Sequence, residues 1–223
     1  MNIELSASMM CANFANLEKE VRDLEEGGID IFHIDLMDGR FVDNFGMGYQ
    51  DMKFIRQATK KRLEAHLMVK STWKYLDVLH NLGIDIVYIH PEADSDPATT
   101  LEKIRNLGMT PGIALNPGTS IPYVEELFNW VDRVLVMCVN PGHVGRQFVP
   151  YVGEKIIKLI ELGKQYRFDV CWDGACTIDK LTEYAPKGVK SFVLGTAVLF
   201  GKPQNYREIL QNVREKLQSA VEA

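Results

Sequence analysis

A chain of 223 residues that is 46% hydrophobic and 25% charged holds enough apolar material for a large core. Its net charge of −5, with both signs interspersed, excludes a basic nucleic-acid stripe or a polybasic membrane patch, so neither nucleic acid nor membrane is expected as a partner. No apolar run approaches the ~20 residues of a bilayer span, and Met1–Leu5 does not open a leader segment, so a soluble, cytoplasmic protein is expected.

In chain order, a strand is predicted over Ile3–Met9, then a helix over Phe14–Leu24 with Leu17, Val21 and Leu24 on one stripe and Gly27-Gly28 as its stop. Strands follow at Ile31–Leu36, Leu63–Val69, Ile86–His90, Thr110–Leu115, Val134–Val139, Val170–Trp172 and Phe192–Leu194. Between them Asp51–Thr59 reads as a surface helix, Gly83 as a helix stop, and Leu101–Leu107 as a helix ending at Gly108. Tyr206–Ala223 reads as a closing helix with a frayed Ser219–Ala223 end. Near-continuous apolar strands fit a parallel sheet covered by helices. Eight strand–helix units of about 28 residues predict an α/β fold, a TIM (β/α)8 barrel formed as a single domain over residues 1–223. An open doubly wound sheet is the alternative, and no GxGxxG follows the first strand to support it. Cys11, Cys138, Cys171 and Cys176 lack CxxC spacing, and the three in or beside apolar runs read as small buried hydrophobes.

The unusual polar residues gather at the C-terminal ends of the predicted strands, where barrel active sites lie. Ser8 ends strand 1, His33 and Asp35 lie on strand 2, His66 on strand 3, and His90 and Glu92 follow strand 4. Asn116-Pro117, Asn140-Pro141-Gly142, Asp173-Gly174 and Gly195-Thr196 close strands 5 to 8. His33, Asp35 and Met37 share one face because strand side chains alternate. His33, Asp35, His66 and Asp173 are therefore a candidate metal set. Two imidazoles and two carboxylates suit one divalent ion of the Zn, Mn, Fe or Co kind better than Ca²⁺. The glycine-rich ends Gly174-Ala175 and Gly195-Thr196, with a flexible Gly142–Gly145 loop, suggest phosphate handling. Met37, Met68 and Met137 also fall at the rim; core packing is the first reading, and a polarizable pocket lining the second.

Taken together these motifs resemble the ribulose-phosphate 3-epimerase family from Ser8 to Phe200. Ser6–Phe14 is similar to its S-P-S-x-L-x-A-D-F, His33–Val42 to its H-x-D-x-M-D-G-x-F-V, and Ala65-His66-Leu67-Met68 to its D-x-H-L-M segment. His90-Pro91-Glu92, Asn116-Pro117, Val139-Asn140-Pro141-Gly142, Asp173-Gly174 and Gly195–Phe200 follow in the expected order. The resemblance implies a barrel enzyme that inverts C3 of a ketose phosphate with one divalent metal ion (Zn, Mn, Fe, Co or Mg) on His33, Asp35, His66 and Asp173. It implies that Asp35 and Asp173 are the acid/base pair. It also implies that Ser8, His66, Gly142, His143, Val144, Gly145, Gly174, Ala175, Gly195 and Thr196 hold the phosphorylated ketose. Association into a homo-oligomer is expected on the same ground.

Three segments depart from the pattern. Val42-Asp43-Asn44 stands for V-P-N, Pro141–Arg146 for P-G-F-G-G-Q, and Trp172-Asp173-Gly174-Ala175 for V-D-G-G. The Asp-Gly-Ala-Cys stretch is closer to the D-G-S-C of D-allulose-6-phosphate 3-epimerases. D-Ribulose 5-phosphate is the first expected substrate, D-allulose 6-phosphate the second, and a non-catalytic phosphosugar-binding barrel the third reading. His143 or Arg146 is expected to contact the ligand. A metallohydrolase would carry an HxH pair on strand 1, and a D-x-K-x-x-D decarboxylase or synthase would need Asp where Arg56 stands.

Overall fold

The computed structural model describes residues 3–222. Its strands are β1 (Glu4–Ser8), β2 (Ile31–Met37), β3 (Arg62–Met68), β4 (Ile86–Ile89), β5 (Thr110–Leu115), β6 (Arg133–Met137), β7 (Asp169–Asp173) and β8 (Ser191–Leu194). They pair in parallel, each with the next in sequence, and β8 closes on β1, giving a TIM barrel. The helices are α1 (Leu17–Gly27), α2 (Tyr49–Ala58), α3 (Leu76–Leu82), α4 (Pro97–Asn106), α5 (Ile121–Val124), α6 (Val152–Tyr166), α7 (Ile178–Tyr184) and α8 (Tyr206–Glu222).

Strand β2 shows why the strand sequences are apolar throughout. Phe32, Ile34 and Leu36 join the large core between sheet and helices, while Ile31 packs in a smaller cluster with Tyr88, Leu135, Met137, Cys171 and Val193. Both faces of the strand are thus buried. His33 and Asp35 occupy the same face as Ile31 by the two-residue period. Register then fixes the site: His33 lies opposite Glu64, Asp35 opposite His66, and Met37 opposite Met68.

Several boundaries differ from the sequence reading. Met9 turns into a 3-10 segment because β1 stops at Ser8, and Phe14–Asn16 form another before α1 begins. Helix α4 starts four residues earlier than Leu101, where Asp96 caps it by accepting the Thr99 amide (3.1 Å) and Pro97 takes the first turn. Helix α2 is more than a surface element, since Met52 and Ile55 are buried. The end expected to fray stays helical through Glu222: Ser219 Oγ donates to the Glu215 carbonyl (2.9 Å), and Gln218 Nε2 to Glu222 Oε1 (2.9 Å). Met1, Asn2 and Ala223 lie outside the described residues. Gly28 and Gly83 cap α1 and α3 in the left-handed conformation, as stop signals should. Cys138, Cys171 and Cys176 are buried, Cys11 is half-buried, and all four are free thiols. Among the described residues no helix is long and apolar enough to cross a membrane.

Candidate active site

The C-terminal rim opens into a cavity of about 510 Å³, within the size range of small-ligand pockets. Asp35, Asp173 and Ser8 line it together with Met37, Met68 and Met137. The three methionines are thus buried and line the pocket at the same time. Gly142, His143, Val144, Gly145, Gly174, Ala175, Gly195 and Thr196 also line it.

Below this opening His33, Asp35, His66 and Asp173 converge. One ligand atom from each lies within 4.8 Å of all the others. His33 Nε2 is 3.2 Å from Asp35 Oδ1 and 3.9 Å from Asp173 Oδ2; His66 Nδ1 is 3.2 Å and 3.6 Å from the same two oxygens. Ser8 Oγ donates to the other Asp35 oxygen (3.0 Å). Both imidazoles are fully buried and off the cavity wall, whereas the Asp173 side chain is 14% exposed. Two carboxylates and two imidazoles converging on one centre fit a divalent cation, which needs bare nitrogens and anionic oxygens within one coordination sphere.

The electrostatics divide the two carboxyls. Burial pushes Asp35 up, but His33 and His66 beside it outweigh that and hold it well below the usual carboxylate range. Burial raises Asp173, and the neighbouring Asp35 charge adds to the rise against the pull of His33 and His66. Burial alone would lower His33, yet Asp35 and Glu64 raise it well above the ordinary imidazole value. His90 is lowered well below that value by burial and by His66.

Three contributors were not assigned a role from sequence. Glu64 Oε1 lies 2.8 Å from His33 Nδ1 and belongs to a polar column inside the barrel: Tyr88 hydroxyl to Glu64 (3.3 Å), Arg133 to Glu64 (4.0 Å), and Arg133 to Glu4. Its position two residues before His66, on the same strand face, was the available signal. His90 sits 2.8 Å from His66, between Nε2 atoms. Lys180 reaches the pocket from α7 and packs over the Phe148 ring (4.8 Å); helical spacing gave no sign of that.

Two of the three departing segments meet at the mouth. His143 Nε2 is 3.0 Å from Asp43 Oδ1, and Asn44 Nδ2 donates to the Gly142 carbonyl (2.7 Å). His143 is thus engaged by Asp43 while it lines the cavity, and Arg146 lines the same wall. Ala175 adopts φ +46, a left-handed conformation that costs a non-glycine residue about 1–2 kcal/mol.

The sequence profile of the ribulose-phosphate 3 epimerase family matches residues 4–199. Ribulose-phosphate 3-epimerase of Synechocystis sp. is 36% identical over 96% of this chain and 94% of its own length. That of Methanocaldococcus jannaschii is 33% identical over 96% of this chain and 90% of its own. Among solved structures, KGPDC from Streptococcus mutans superposes with a TM-score of 0.74 at 14% identity, covering 99% of both chains, which speaks to the fold alone. Whole-length similarity to the curated enzymes thus coincides with the rim geometry, and the chain belongs to the ribulose-phosphate 3 epimerase family, an isomerase of the epimerase class.

Proposed function

We propose that the chain interconverts the C3 epimers of a ketose phosphate, D-ribulose 5-phosphate and D-xylulose 5-phosphate. The observation that carries this reading is the convergence of Asp35 and Asp173, from the well-separated strands β2 and β7, on His33 and His66 at the base of one cavity. The C3 hydrogen of such a sugar lies next to the C2 carbonyl, so its removal gives an enediolate. Inversion needs one group to take a proton from one face and another to deliver one to the other face. Asp35 and Asp173 serve as that pair and exchange roles when the reaction runs backwards. They lie close enough that their titrations belong to the pair. His33, Asp35, His66 and Asp173 would hold a divalent cation (Zn, Mn, Fe, Co or Mg), which would supply Lewis-acid stabilisation of charge developing on the sugar oxygens.

Ser8 orients Asp35 through its hydroxyl. The methionines keep water from the reacting carbons while leaving polarizable sulfur against the planar intermediate. The phosphate is held at the other end of the cavity by the chain at Gly142–Gly145, Gly174-Ala175 and Gly195-Thr196. Arg146 and Lys180 supply positive charge on that wall. This placement is supported by the cavity lining and by the relatives' names, which concern a phosphorylated ketose.

Incubation of the purified protein with D-ribulose 5-phosphate in D₂O tests the proposal. Deuterium is expected at C3 of both epimers as they equilibrate. A parallel panel of D-allulose 6-phosphate and D-fructose 6-phosphate sets pentulose against hexulose; faster exchange in the hexuloses would reassign the substrate. No label in any of the sugars would leave only a binding protein.

A further inference from the structure

We infer that His90 is a positioning residue: it accepts the hydrogen bond that forces His66 to present a bare Nδ1 to the cluster, and its own proton points towards Glu92. The inference rests on reading His33, Asp35, His66 and Asp173 as a cation site.

A neutral imidazole carries one hydrogen. If one ring nitrogen must be bare to face a cation, the other carries the hydrogen and needs an acceptor. For His33 that acceptor is a carboxylate, Glu64 Oε1, 2.8 Å from Nδ1. For His66 no carboxylate stands there. The atom 2.8 Å from His66 Nε2 is His90 Nε2, itself an imidazole nitrogen. Two nitrogens at that distance share one hydrogen. Since His66 Nδ1 is the atom turned to Asp35 and Asp173, the shared hydrogen belongs to His66 and His90 accepts.

That polarity has a consequence on the far side of the ring. His90 must then carry its hydrogen on Nδ1. This atom is buried and makes no hydrogen bond, and Glu92 Oε2, 4.0 Å away, is likewise buried and without a partner. An unpartnered donor thus faces an unpartnered acceptor. Glu92 is held in place by its other oxygen, which accepts from Asn116 Nδ2 (3.0 Å) and from the Thr119 hydroxyl. The Phe41 ring, 4.6 Å from His90 between centroids, holds the imidazole plane. A small turn of the Glu92 carboxylate completes a directed chain from His66 through His90 to Glu92.

The test uses Co²⁺ as the probe, with affinity measured by chelator competition and ligand geometry by the visible absorption spectrum. His90→Leu removes the acceptor and is expected to weaken Co²⁺ binding by about 10–100-fold and to alter the spectrum. His90→Gln, which keeps an acceptor oxygen, is expected to restore most of both. His90→Leu with parental affinity and spectrum overturns the inference while leaving the cation site standing. A parent protein that takes up no Co²⁺, or a His66→Ala protein that binds it as well as the parent, overturns the cation reading and the inference with it. If His90→Leu does not fold, nitrogen-15 shifts of the histidines in the Zn²⁺-loaded parent decide. Hydrogens on His66 Nε2 and His90 Nδ1 are expected, and a hydrogen on His90 Nε2 overturns the assignment.

Discussion

Gly46 packs so closely on strand β2 that a β-carbon built on it would lie 2.4 Å from the Asp35 carbonyl oxygen. The Met47 amide donates to that same oxygen (2.9 Å), and the Gly46 amide donates to the Met37 carbonyl (3.3 Å). The loop after β2 therefore clamps the strand that carries His33 and Asp35. Gly46→Ala is expected to cost about 1–3 kcal/mol through overpacking and to lower kcat, because the end of β2 must shift. Urea titration and steady-state kinetics check this. Parental stability with parental kcat would show that the loop gives way and the strand does not depend on it.

Asp35→Asn and Asp173→Asn each remove a carboxyl proposed as a proton carrier while keeping size and most hydrogen bonds. Each is expected to lower kcat by at least about 10²-fold with the fold retained by circular dichroism. Deuterium wash-in at C3 should fall in step with turnover. A variant that turns over at nearly the parental rate would take that residue out of the proton path.

Cation removal should be legible in melting as well as in rate. Chelator-treated protein is expected to lose epimerisation and to melt at lower temperature. Added Mn²⁺ or Co²⁺ at about 1,000 times its Kd should return about 4 kcal/mol of stability. Activity and melting that ignore both chelator and metal would contradict the cation site.

Glu4 gives the acid limb of stability a defined sign. Burial pushes its carboxyl up, but Arg133 and Arg62 outweigh burial and hold it below its ordinary 4.5. A group lowered on folding adds stability that is present above the unfolded value and is lost as pH falls through the folded one. Glu4→Gln is expected to cost about 1.5–3 kcal/mol near neutrality and to flatten the decline below pH 4.5. An unchanged acid limb would mean that both guanidiniums find other partners.

The Asp43–His143 contact at the mouth joins the β2 and β6 loops between two exposed side chains. Asp43→Ala and His143→Ala are expected to raise KM to a similar degree, with the double variant no worse than either. The effect should shrink at high salt, since exposed pairs are screened. If His143→Ala raises KM and Asp43→Ala does not, the imidazole meets the ligand directly.

The barrel and its reactive rim were legible because period and position both survive in the sequence. Short apolar strands betray burial on both faces, and HxD on one strand face betrays two members of the buried His/Asp cluster. What could not be read was pairing across strands. Nothing in His90-Pro91-Glu92 says that His90 Nε2 will meet His66 Nε2 at 2.8 Å, because that distance is set by how β3 and β4 lie side by side. Lys180 was missed for a similar reason: it reaches the cavity from a helix, and helical spacing reports only the face that packs. Helix ends were the least legible, since α4 begins at an Asp96 cap that lies outside the apolar stripe.

Barrels of this kind generally divide labour, one end cohesive and the other reactive. Here His33 reaches down to Glu64, Glu64 faces Arg133, and Arg133 pairs with Glu4. That vertical spine couples the quiet end to the busy one. A substitution at Arg133 would consequently be felt at His33, through Glu64, as well as in the cohesion of the barrel floor.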